Sequence, residues 1–241
     1  GEPASDEYGH GTHVAGIITG NGSAAGGVTS LYNGGIAPNA QLVSVRVLGD
    51  DGVGNTSDVI AGIDWVIANK SKYHIRIINL SLGHAVTEPV AYDPLCAAVQ
   101  RAYNAGVTVV VAAGNAGKTS DGTPVLGGIA SPGNSPYAIT VGATNTFGTT
   151  NRSDDQVTTY SSRGPTKWDN NAKPDLAAPG NKIISLEAAG SYIPAQYPSA
   201  HVAGSGTNGY LEMSGTSMSA PMITGAAALL LQAPPSLSFA Q

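Results

Sequence analysis

The chain has few ionisable residues and almost no sulfur. Charged residues make up only 11% of 241 positions, and 11 Lys and Arg face 16 Asp and Glu for a formal net charge of −5. That balance argues against a nucleic-acid partner, which requires a basic face. There is one cysteine, Cys96, so no intrachain disulfide can form. It sits in the apolar helical stretch Leu95-Cys96-Ala97-Ala98-Val99, which predicts a buried, inert thiol and not a nucleophile. No apolar run reaches the length of a membrane span, so no membrane partner is expected. No internal repeat, interdomain linker or N-terminal signal peptide is visible.

What is present suffices for one packed domain. Hydrophobic residues make up 41% of the chain, which argues against disorder, and 32 Gly with 15 Pro predict many tight turns. Strand and helix patterns alternate. Gln41–Val47 reads as a strand. From Ser57 and Asp58 a helix follows with Val59, Ile63, Val66 and Ile67 on one face. Ile75–Leu80 is a second strand, Pro94–Asn104 a helix stopped by Gly106, and Val107–Ala113 a strand apolar enough to be buried on both faces. Ala138–Gly142 and Lys182–Leu186 read as further strands. Thr216–Gln232 is the last helix, closed by Pro234-Pro235. The polar tract 118–128 reads as one surface loop. Repeated strand–helix–strand units imply an α/β fold with a parallel sheet and helices on both faces. Ligands then bind at the C-terminal ends of strands, where Ser81 and Asn115 fall.

Three islands carry chemistry. Gly215-Thr216-Ser217-Met218-Ser219-Ala220-Pro221 places a hydroxyl in the first turn of an apolar helix. Unpaired N–H groups and the positive dipole end favour a developing oxyanion there. The same residues also fit an ordinary Ser/Thr helix cap. Gly9-His10-Gly11-Thr12-His13-Val14-Ala15-Gly16 supplies histidines among small neighbours, and the run Val109–Ala113 ends abruptly in Gly114-Asn115. A nucleophile, a base and an amide donor are the parts of an acyl-transfer site, although Asn after Gly is also a common turn residue.

With these islands in this order, the chain resembles the subtilisin-like serine proteases (subtilases) over nearly its whole length. The segments Val45-Arg46-Val47-Leu48-Gly49, Asn79-Leu80-Ser81-Leu82-Gly83, Tyr160–Pro165 and Lys173–Gly180 stand between them in family order. The resemblance implies a three-layer subtilisin-like fold, mostly parallel, with residues 1–241 forming part of one catalytic domain. It implies a serine endopeptidase working through an acyl-enzyme: Ser217 as nucleophile, His10 as general base, and Asn115 with the Ser217 N–H as oxyanion donors. His13, the second histidine of the motif, is structural by the same resemblance. Ser81, Leu82 and Gly83, together with Gly52, Val53 and Gly54, correspond to the two edges that sandwich an extended substrate. Ala112, Ala113 and Gly114 floor the pocket for the residue before the cleaved bond. Partners are a peptide or protein substrate and a propeptide, and the location is extracellular. No cofactor is required; structural calcium fits the family, but the loop 20–35 has no carboxylates from which to name ligands.

One part is missing. Subtilases carry a catalytic aspartate on a strand about thirty residues before the histidine, as the resemblance implies. Glu2, Asp6 and Glu7 are the only acids ahead of His10, and Asp6 reads as a solvated loop charge. Residues 235–241 resemble the start of a further helix. The expectation is a fold truncated at both ends, and a polypeptide poorly stable and nearly inactive by itself.

Rival patterns are weaker. Asp6, His10 and His13 lack the glutamate of a zinc-hydrolase helix. Gly204-Ser205-Gly206-Thr207-Asn208-Gly209 matches a dinucleotide-binding spacing, but no apolar strand precedes it, so it reads as a surface turn. A non-catalytic peptide-binding relative rests on the absent aspartate alone. The sequons at Asn21, Asn55, Asn69, Asn79 and Asn151 read as chance matches.

Overall fold

The computed structural model describes residues 5–232. The elements are α1 (His10–Thr19), α2 (Thr56–Tyr73), β1 (Ile77–Leu80), α3 (Pro94–Asn104), β2 (Thr108–Ala112), β3 (Ile139–Asn145), β4 (Gln156–Val157), β5 (Leu176–Pro179), β6 (Ile183–Leu186), α4 (Tyr192–Gln196), β7 (His201–Ala203), β8 (Tyr210–Met213) and α5 (Thr216–Gln232). The main sheet runs β1-β2-β3, parallel, with β5 parallel to β3 and β4 antiparallel to it. A second, antiparallel sheet has the order β6-β8-β7.

Strand β2 shows why the sheet is covered on both sides. Its side chains alternate between faces. Val109 and Val111 pack with Val59, Ile63, Leu95 and Val99 from α2 and α3. Val110 and Ala112 pack with Val141, Ala178 and Ala220, the last from α5. A strand buried on both faces is apolar on both, and after Thr108 at its edge the sequence of β2 is apolar throughout. Cys96 lies in this interior, where burial pushes its thiol up and Sγ donates to Asn134 Oδ1 at 3.2 Å. Asp93 caps α3, accepting from the Leu95 and Cys96 N–H groups, so the helix begins where the sequence places it.

The strand predicted at Gln41–Val47 does not form. None of the backbone N–H groups of 41–47 donates to another backbone group among the described residues, and the segment is largely exposed. Among the described residues, strand β1 pairs only with β2, and no strand pairs with its other edge. Between the two lies a cavity of ≈ 520 Å³, lined by 41–45 and Val47 on one side and 75–80 on the other, with Val14 of α1 and Ile63 of α2 beneath. The reason for the miss is physical. A strand is defined by backbone partners, and β-favouring side chains cannot supply them. The helix stop at Pro234-Pro235 and the pattern at 235–241 lie outside the described residues. The 204–209 segment is a short turn between β7 and β8, as expected.

Candidate active site

Helix α5 begins at Thr216, after Gly215 has bonded its N–H to the Gly180 carbonyl at 2.8 Å. Pro221 lies inside this helix and has no N–H to give the carbonyl of Ser217, four residues back. The hydroxyl of Ser81 takes that place, donating to Ser217 O at 2.8 Å. In return the Ser217 hydroxyl donates to the Ser81 carbonyl at 3.3 Å. Asn79 continues the chain of bonds: Nδ2 donates to Ser81 Oγ at 3.0 Å, and Oδ1 accepts from Thr224 at 2.8 Å. The end of β1 and the first turn of α5 are thus fixed to each other.

Asn115 follows β2 after Gly114, whose φ of 98° is left-handed and suits glycine. Its Oδ1 accepts from the Thr216 N–H at 3.0 Å and from the Thr216 hydroxyl at 3.2 Å. The Gly114 N–H donates to Thr216 Oγ1 at 3.1 Å. With the carbonyl end committed to Thr216, Nδ2 is the end of the amide left to donate, and Asn115 lines a cleft together with Ser217. The Ser217 N–H is a first-turn donor without an intrahelical partner. Thr216, which sequence reading passed over as a capping hydroxyl, orients the amide.

His10 opens α1 after Gly9, which has a φ of 98°. Val14, Ile17 and Ile18 of α1 pack with Met218, the residue after Ser217. Gly11, next to His10, and Leu80, next to Ser81, line the same cavity. Burial holds the His10 imidazole below its ordinary value, and the charge of Asp6 works against that shift. Asp6 itself is not the free loop charge expected. Its carboxylate accepts from the Gly9 N–H at 2.8 Å and the Thr12 N–H at 2.7 Å, fixing the first turn of α1. Burial opposes its ionisation, but these bonds outweigh that and keep the carboxyl below the usual range.

His13 is buried against the second sheet. Its Nε2 lies 3.1 Å from Ile183 O and 2.9 Å from Leu211 O, so the proton is placed on Nε2. Nδ1 is buried with no partner among the described residues. Burial, resisted by the two carbonyls, lowers the pKa to about 4. Unfolding returns it to about 6.5. Stability is therefore complete above pH 6.5 and falls between 6.5 and 4, by about 3 kcal/mol from this residue. Urea unfolding across that range should show this slope, and a His13→Gln variant should lose it.

A cleft of ≈ 560 Å³ is lined by Leu82, Gly83, Ala112, Gly114, Asn115 and Ser217. Those six expected site residues meet there. Ala113 does not line it; it is fully buried, with its N–H bonded to Val141 O. Ser81 faces Ser217 instead of the cleft. Gly52, Val53 and Gly54 also stand outside it, on a turn closed by the Gly49 N–H to Val53 O bond and abutting the Tyr8 ring.

A profile of the subtilase family, peptidase S8, matches residues 1–241. This chain belongs to that family. The subtilase is 42% identical over 238 residues to serine protease AprX of Bacillus subtilis, covering 97% of this chain and 50% of the relative. It is 33% identical to subtilisin DY of Bacillus licheniformis, covering 98% and 68%. Among solved structures, sphericase superposes with a TM-score of 0.77 at 31% identity, covering 100% of this chain and 68% of that one. A cold-adapted subtilisin-like serine proteinase gives 0.70 at 34%, covering 98% and 66%. This subtilase spans half the length of AprX. Its fold is the subtilisin-like α/β fold that the sequence predicts, and its family is one of hydrolytic serine endopeptidases. No helix among the described residues is long and apolar enough to cross a membrane.

Proposed function

We propose that this subtilase hydrolyses peptide bonds through an acyl-enzyme, with Ser217 as nucleophile, His10 as general base and Asn115 as oxyanion donor. The observation that carries this is the Asn115 amide. Thr216 holds Oδ1, which leaves Nδ2 free to donate, and Asn115 and Ser217 line the same cleft. Ser217 Oγ attacks the scissile carbonyl while its proton passes to His10. The carbonyl oxygen becomes an anion between the two donors. His10 returns the proton to the leaving amine, and water then releases the acyl group by the same route. In the free protein the Ser217 hydroxyl donates to Ser81 O, so it must turn toward His10 when substrate binds. Leu82 and Gly83 offer backbone to pair with the substrate, and Ala112 and Gly114 floor the pocket. The second edge, Gly52–Gly54, rests on the resemblance.

His10 has no carboxylate hydrogen-bonded to its ring among the described residues. We assign that role to an extended segment filling the cavity between 41–47 and β1. Two unpaired backbone edges and an apolar floor fit such a strand, and the cavity reaches Gly11. The substrate is a peptide or protein, and a propeptide is the further partner. Secretion is proposed from the family; a relative 41% identical is named an extracellular serine proteinase from Thermus sp.. The reaction needs no cofactor, and structural calcium remains a family-based proposal without assigned ligands.

The test is labelling by a serine-directed fluorophosphonate. Mass spectrometry should place the adduct on Ser217, and the labelling rate should fall in acid as His10 takes up its proton, at a pH below the ordinary histidine range because burial disfavours the imidazolium. An adduct elsewhere, or labelling indifferent to His10→Ala, overturns the reading. Asn115→Ala should cost about 10²–10³ in kcat with KM little changed, the loss seen in subtilisin for its oxyanion asparagine.

A further inference from the structure

The cleft that floors the proposed substrate site is lined mostly by glycine, alanine and aliphatic residues. Among the described Lys, Arg, Asp and Glu residues, Lys167 alone lines it. His84 lines it too, but its Nδ1 is 2.9 Å from the Ala85 carbonyl, to which that nitrogen donates. Lys167 forms no ion pair among the described residues. Its ammonium sits 5.2 Å from the Trp168 ring centroid, which restricts the side chain without neutralising it.

The turn that presents Lys167 is fixed at several points. The Thr166 N–H donates to Asn171 O at 2.9 Å, and the Asn171 N–H donates to Thr166 Oγ1 at 2.9 Å. Asp169 Oδ2 accepts from the Val90 N–H at 3.0 Å and ties the turn to the chain before α3. Trp168 has a φ of 72° and Asn170 a φ of 53°. A bulky residue in the left-handed region carries strain, and strain held by surrounding bonds gathers where geometry serves function.

We infer that Lys167 selects substrates with an acidic side chain in this cleft, so that the peptides preferred carry Glu or Asp before the scissile bond. The inference rests on the proposed hydrolase reading and names its substrate class. A carboxylate entering the cleft meets one ammonium and no competing acid. A Lys or Arg side chain meets the same ammonium and is repelled. The ammonium of Lys167 lies over the Trp168 ring, which limits how far the charge moves between free and bound states.

The test uses the full natural chain carrying Ser217→Ala, so that bound peptides are not cleaved. Binding of acetyl-Ala-Ala-Ala-X amides is measured with X as Glu, Gln, Leu and Lys. Glu and Gln differ in charge but hardly in shape. The expected result is Glu tighter than Gln by roughly fivefold at low salt, with Lys weakest, and the gap shrinking as salt rises. Lys167→Met, which keeps an unbranched stem without the charge, should make Glu and Gln equal. Lys167→Glu should reverse the order of the Glu and Lys peptides. Equal binding of Glu and Gln by the unmutated residue overturns the selectivity alone. Failure of all four peptides to bind overturns the hydrolase reading and this inference with it.

Discussion

In a form of this subtilase that has a carboxylate on His10, replacing His10 or Ser217 by Ala should lower kcat by about 10⁶, with KM changed far less. That magnitude is the loss known for subtilisin, a member of the same family, when either residue is removed. In the proposed mechanism each single loss is nearly total. The Ser217 hydroxyl is an ordinary alcohol until a base takes its proton, and His10 without Ser217 has nothing to activate. The double variant should therefore be little worse than either single one. Steady-state cleavage of a chromogenic peptide, with circular dichroism to confirm folding, makes the comparison. Multiplying losses in the double variant would mean that the two residues act separately, and the shared mechanism would be lost. Residual hydrolysis from Asn115 and substrate binding should survive in all three.

A polypeptide of these 241 residues alone should be slower by about 3 × 10⁴ in kcat than one with a carboxylate on His10. This figure too comes from subtilisin, where the aspartate alone was removed. His10 has a half-buried ring and, among the described residues, no hydrogen-bonded carboxylate to hold its tautomer; the more distant charge of Asp6 only partly offsets burial in stabilising the imidazolium. Supplying an apolar strand that ends in Asp, fused so that it docks between 41–47 and β1, should restore turnover. It should also raise the melting temperature, because the backbone edges along the ≈ 520 Å³ cavity gain partners. The same strand ending in Asn should raise the melting temperature but leave kcat low. Turnover at ordinary enzyme rates, about 1–10³ s⁻¹, by the 241 residues alone would refute the claim.

Much of the architecture was legible because it depends on local chemistry. The bounds of α3 follow from Asp93 as cap, Pro94 at the first turn and Gly106 beyond the end. The bounds of α5 follow from Gly215 and a long apolar run. Strand β2 was legible because burial on both faces leaves no polar residue in it after Thr108. Gln41–Val47 was misread because its side chains favour a strand while its backbone has no neighbour. Asp6 was misread because accepting from Gly9 and Thr12 depends on how the chain turns before α1, which charge pattern does not show. Thr216 and Lys167 had no local signal at all. One gains its role from an amide about a hundred residues away, the other from a turn that folds back onto the cleft.

By itself the sequence determined the family, the helices α2, α3 and α5, the strands β1, β2, β3 and β6, and the residue types proposed as nucleophile, base and amide donor, because cap, turn and periodic signals act within a few residues. Only the tertiary structure decided which end of the Asn115 amide is held by Thr216, what replaces the helix bond that Pro221 removes, and which charged side chain lines the cleft. Those are contacts between distant segments, and no local rule encodes a distance across the fold.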